Sequence, residues 1–169
     1  MGSRSQARAV NVASILAACV LATSVVGCSR SPEDDCAADR AALENVIARD
    51  QHVGSVLHDA DGLAVSGKGT QAAVKIEKEA RPEAQRARDE ATQLRPRTRW
   101  GAQRRDDLDA LIALRLTRMA DYEAALRSDD LARVVGEMMA QRNVEQRAIE
   151  LQKTMAAPIE ARSKACLPP

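Results

Sequence analysis

The sequence predicts an all-α protein, an up-down-up-down four-helix bundle behind an N-terminal export signal. Two observations carry that fold class. Ala, Leu, Arg, Glu and Gln dominate the chain and are good helix formers, and no stretch alternates apolar and polar residues as a half-buried strand requires. Four long stretches instead repeat apolar residues at helical spacing, and the links between them are short, which joins neighbouring helices antiparallel.

The first helix is expected from near Asp34 or Asp35 to about Leu57. Leu43, Val46, Ile47, Val53, Val56 and Leu57 share one face, and acids in the first turn suit the positive end of the helix dipole. "HDADGLAVSGKG" then brings three glycines, so His58 to Lys68 reads as a loop. The second helix is placed from about Thr70 to Leu94 on Ala73, Ile76, Ala80, Ala84, Ala87, Ala91 and Leu94. Its alanine seam calls for the close approach of a neighbouring helix. Pro82 lies inside this run and should kink or split it, because proline lacks an N–H and its ring meets the carbonyl four residues back.

"RPRTRWGAQRR" separates the second helix from the third, expected over about Ala102 to Arg127 with Leu108, Leu111, Ile112, Leu116, Met119, Tyr122 and Leu126 facing inward. The tight link Ser128 to Asp130 supplies N-cap residue types. A fourth helix then runs to about Ala156 through Leu131, Val134, Val135, Met138, Val144, Ala148, Ile149, Leu151 and Met155. Pro158 interrupts it, and a last short turn leads to Cys166.

Ahead of the helices the chain reads as an export signal. Arg4 and Arg8 make a positive start with no acid before Glu33, and Ala9 to Val26 is an apolar run, short for a membrane span of roughly 20 residues. Val25-Val26-Gly27-Cys28 closes it and resembles the lipobox of bacterial lipoproteins. The resemblance implies that residues 1–27 are cleaved, that Cys28 becomes the first residue and carries covalent lipid, and that two or more acyl chains anchor the protein to a membrane. Ser29, where an Asp would resemble a retention signal, implies an outer-membrane address facing the periplasm of a Gram-negative host. Residues 28–35 would be the lipidated tether and residues 36–169 the helical domain.

With that resemblance the cysteine count resolves. Of the four cysteines, Cys19 leaves with the signal and Cys28 carries lipid. Cys36 and Cys166 remain in an oxidising compartment, where an even remainder reads as a disulfide. An even number of helices returns the chain to its starting end and brings the pair together. Three helices of about 20 residues would leave them roughly 30 Å apart, far beyond what a disulfide spans. The same geometry puts the link between the second and third helices at the membrane-facing end. Arg95, Arg97, Arg99, Arg104 and Arg105 lie there around Trp100, a candidate contact for anionic lipid headgroups.

Composition excludes several function classes. The chain carries 25 Lys and Arg against 24 Asp and Glu, and loss of Arg4 and Arg8 leaves a near-neutral body without a general attraction for nucleic acid. Trp100 and Tyr122 are its only aromatic residues, too few for base- or sugar-stacking platforms. "GLAVSGKGT" nearly spells a phosphate-binding loop, but Gly69 stands where Ser or Thr must bind magnesium, and no strand precedes it. His52, His58, Asp59 and Asp61 lack the spacing of a metal site. No Glu-x-x-His, C-x-x-C-H or G-x-S-x-G occurs.

The expectation is therefore a non-enzymatic, membrane-anchored helical module without a cofactor beyond its lipid, binding a protein partner or supporting envelope structure. Its contact surface is expected at the distal end, around His58 to Lys68 and Ser128 to Asp130. The alternative is a chaperone-like factor holding client proteins. Such a factor would expose apolar area, with Met138 and Met139 as adaptable contacts. A metal or small-ligand sensor using His52, His58 and their acids is the third reading.

Overall fold

The computed structural model describes residues 31–128, 130–158 and 164–168. The expected signal segment and Cys28 lie outside the described residues. Among those described, the protein is entirely helical: α1 Pro32–Val65, α2 Gly69–Lys75, a π-helical turn Ile76–Ala80, α3 Arg81–Gln93, α4 Arg99–Leu126, α5 Leu131–Ala156 and a final 3₁₀ turn Lys164–Cys166. α2, the π turn and α3 run on without a break, so four helical rods pack together.

α1 begins earlier and ends later than its apolar pattern suggested. Ser31 and Asp34 form a reciprocal capping box, and Pro32 takes the first turn, where a missing N–H costs nothing. Pro32 to Asp35 therefore belong to the helix and not to a tether. At the other end His58 to Val65 continue the helix, although a loop was expected there. Ala60 is fully buried, Leu63 and Ala64 pack on the core and Tyr122 donates to Asp61; this burial outweighs the roughly 1 kcal/mol that Gly62 costs a helix interior. The true stop is Gly67, at φ 75°. Gly67 N–H bonds to the Ala64 carbonyl and Lys68 N–H to the Leu63 carbonyl, the paired bonds of a Schellman ending. The glycines that mimicked a phosphate loop thus divide between a helix interior and a helix stop.

The expected disturbance at Pro82 takes the form of the π turn. Pro82 has no N–H to offer the Lys78 carbonyl. The ring widens instead, and Arg81 N–H reaches back five residues to the Ile76 carbonyl. The alanine seam lies where it was expected: Ala73, Ile76, Ala80, Ala84, Ala87 and Ala91 are all fully buried. Each contributes little apolar area, and their small size lets α1 and α4 approach closely.

α4 starts three residues before the expected Ala102, for a tertiary reason. Asp39 of α1 accepts the N–H groups of Arg97 and Thr98 at 2.9 Å and the Thr98 hydroxyl at 2.6 Å. Thr98 in turn caps α4 by accepting Gly101 N–H at 3.0 Å. A carboxylate from one helix thus sets the first turn of another, at the end where the dipole favours negative charge. Gly101 is required by this joint, because a Cβ there would fall on the Asp39 carboxylate.

Helix propensity alone makes Gly101→Ala stabilising by about 1 kcal/mol. The collision reverses the sign, and a loss of about 2 kcal/mol is expected in urea unfolding. Gly62→Ala is the control: its Cβ would meet nothing, and a gain of up to about 1 kcal/mol is expected.

Cys36 and Cys166 form a disulfide with Cα atoms 5.4 Å apart, and both are buried. The last turn is also held to the start of α4, where Arg99 N–H bonds to the Leu167 carbonyl at 2.9 Å and Arg99 Nε to the Pro168 carbonyl at 3.1 Å.

Candidate functional sites

Three groups of residues stand out: the arginine-rich link, a buried charge network and an apolar line on α5. In the link the arginines are engaged within the protein. Arg95 Nη1 donates to the carbonyls of Thr92, Gln93 and Leu94, closing the end of α3. Arg97 pairs with Asp35 at 3.3 Å, Arg104 with Asp107 at 2.9 Å and Arg105 with Asp106 at 2.7 Å. Trp100 is partly buried against the core with the Arg40 guanidinium 5.6 Å from its ring centre. Arg95, Arg97 and Arg99 remain exposed, whereas Arg104, Arg105 and Trp100 are half-buried.

The buried network joins three helices. Arg115 of α4, 1% exposed, meets Asp50 of α1, with Nε 2.8 Å from Oδ1 and Nη2 3.0 Å from Oδ2. Its Nη1 donates to Glu145 of α5 at 2.9 Å. Burial pushes the Asp50 carboxyl up from its ordinary value, and the Arg115 charge opposes that rise. Beside the network Tyr122 donates to Asp61 at 2.9 Å. Burial raises Asp61, and the Tyr122 hydrogen bond opposes it; burial and Asp61 together raise the phenol. Gln141 of α5 is 4% exposed, and neither atom of its amide has a hydrogen-bond partner in the protein. An unpaired buried amide costs roughly 1–3 kcal/mol.

Charged residues are solvated by default, so sequence reasoning passed over Asp39, Asp50, Arg115 and Gln141. A signal was present. Asp39 and Asp50 fall in register with Leu43, Val46 and Val53. Arg115 lies in register with Leu108, Leu111, Ile112 and Met119, while Gln141 sits between Met138 and Val144. Arg115 is fully buried beside the expected Leu116, which is half-buried against the core.

α5 also departs from its expected inner face. Leu131 is 75% exposed, Val135 and Met139 are each 51% exposed, and Ile149 is exposed as well, whereas Met138 is core. Leu131, Val135 and Met139 lie four residues apart on one face, with Arg142 and Ile149 continuing it at seven-residue steps from Val135. Val65, at the end of α1, is exposed too. It shares the end of the protein where Gly69 lies against the Leu126 carbonyl.

Among the described residues no group of His, Cys, Asp or Glu is placed to hold a metal ion, and no helix is long and apolar enough to cross a membrane. His52, His58, Asp59 and Asp61 are thus not gathered into a metal centre. These features define a class, a disulfide-closed all-α bundle with a charged interior and an apolar line on its outer face. No family model, no curated protein and no solved structure matches the chain.

Proposed function

We propose that this chain is a lipid-anchored bacterial envelope protein, a non-enzymatic up-down-up-down bundle that docks an amphipathic helix of a protein partner. The exposed line Leu131, Val135 and Met139 carries this reading. It is one residue wide, which suits a single helix laid along it. Arg142, 61% exposed on the same face, favours a partner with a carboxylate beside its apolar stripe.

The antiparallel order is supported by pairs that run in opposite directions along neighbouring rods. Arg49 meets Glu90 while Asp59 meets Lys75, and Arg88 meets Asp109 while Glu77 meets Arg127. The buried disulfide supports an oxidising compartment, and the lipobox Val25-Val26-Gly27-Cys28 supports the anchor. With Cys28 in lipid, the exposed Arg95, Arg97 and Arg99 would face anionic headgroups. The docking line starts at the other end, beside the turn Ser66 to Lys68 and the α5 cap Asp130.

The test is crosslinking in intact cells, detergent extraction of the protein and mass spectrometry. One stoichiometric partner is expected, lost in Val135→Glu while the helical circular dichroism is unchanged. A scatter of low-abundance clients would favour the chaperone-like alternative, which the same exposed apolar residues also suit. A single partner indifferent to Val135→Glu would overturn the docking line.

A further inference from the structure

Sulfur is unevenly exposed in this protein. Among the described residues, Cys36 and Cys166 are joined and buried, and Met119, Met138 and Met155 are 8% exposed or less. Of these sulfur-bearing side chains Met139, 51% exposed, alone is open to solvent. Its neighbour Met138 faces inward, with Arg142 Nη2 3.9 Å from its Sδ.

Helix geometry fixes what Met139 lies against. A long side chain on a helix leans back over the preceding turn, so the Met139 thioether covers Val135 and Gly136. Leu131 and Ala132 stand one turn further back. All four are exposed, and none carries a polar side chain. The space above Gly136 is open, since a Cβ there would meet nothing within 4 Å. Arg142 and Asn143 lie on the turn after Met139, the side its thioether leans away from. An apolar helix laid along this line therefore covers the sulfur without burying a polar atom. A sulfoxide changes that, because oxidation makes a flexible apolar side chain polar. Its oxygen would be buried beside Val135 and Gly136 without a hydrogen-bond donor.

We propose that Met139 is a modification site through which a hydroperoxide switches docking off. The thioether sulfur attacks the peroxide, the O–O bond breaks and an S=O bond forms. Sulfur loses two electrons, and the second peroxide oxygen leaves as water or an alcohol. The switch rests on the docking line Leu131, Val135 and Met139. Only undocked protein reacts, because a docked helix covers the sulfur.

The test begins with the purified full-length chain in neutral detergent, treated with limiting hydrogen peroxide and read by peptide mass spectrometry. Met139 should oxidise at least about tenfold faster than Met119, Met138 or Met155, with the helical circular dichroism unchanged. A preparation oxidised at about half of its Met139 is then freed of peroxide and crosslinked to untreated membranes of the host cells. The partner that Val135→Glu loses should capture the thioether form. Sulfoxide should be depleted at least about tenfold in the captured chain relative to the uncaptured chain. Equal sulfoxide in the two pools overturns the switch and leaves the docking line standing. Oxidation of the buried methionines as fast as Met139 overturns the site itself. Capture of no partner that depends on Val135 overturns the docking line, and the switch with it.

Discussion

Arg115→Met lowers the unfolding free energy by about 3–5 kcal/mol, the range for breaking a buried ion pair from one side. Methionine fills the stem of the arginine but leaves Asp50, 2% exposed, without its counter-charge. Asp50 is already pushed up by burial with Arg115 opposing, and the rise is larger without Arg115. A carboxyl whose folded-state pKa lies above its unfolded value takes up a proton on folding. The deficit is therefore smallest below the unfolded value and grows as pH rises through the folded one. Urea midpoints taken across the acidic to neutral range should separate parent and variant progressively.

The double variant Asp50→Leu, Arg115→Met removes both charges. It should return to within about 1 kcal/mol of the parent, because a buried pair seldom outperforms apolar packing of similar volume. Glu145 is 41% exposed and can turn to water. If the single variant unfolds with the parent's midpoint at neutral pH, Asp50 is not sealed from solvent as described.

Reduction of Cys36–Cys166, or its replacement by a serine pair, carries the other large effect. The bond closes a loop of 130 residues, and constraint of an unfolded chain that long is worth up to roughly 5 kcal/mol. It also fixes the two ends of the domain at one place, where Arg99 holds Leu167 and Pro168. Unfolding in urea with and without reductant should shift the midpoint strongly downward on reduction. The reduced protein should keep its helices at low urea, since α1 and α4 stay joined through Asp39 and Thr98. An unchanged midpoint would mean that the unfolded chain gains little freedom when the bond opens.

The helices were legible because helix formation answers to neighbours three and four residues away. Every alanine named for the second rod is buried, and Pro82 disturbs the chain one turn before itself. Helix ends were less legible. Ala60 and Asp61 hold the last turns of α1 against other helices, and the start of α4 depends on Asp39, roughly sixty positions earlier in the chain. The apolar pattern of α5 was misread in the other direction. Leu131, Val135 and Ile149 are as hydrophobic as core residues, but among the described residues they are left exposed.

The sequence by itself determined the all-helical class, the four rods and the pairing of Cys36 with Cys166. Periodicity is a local property, and the pairing is what remains if Cys19 and Cys28 belong to the proposed signal and lipid anchor. Only the tertiary structure decided which charges are interior. Asp50, Arg115 and Glu145 come from three different helices. Whether each is a solvated surface charge or one member of a buried network depends on a partner the local sequence does not contain.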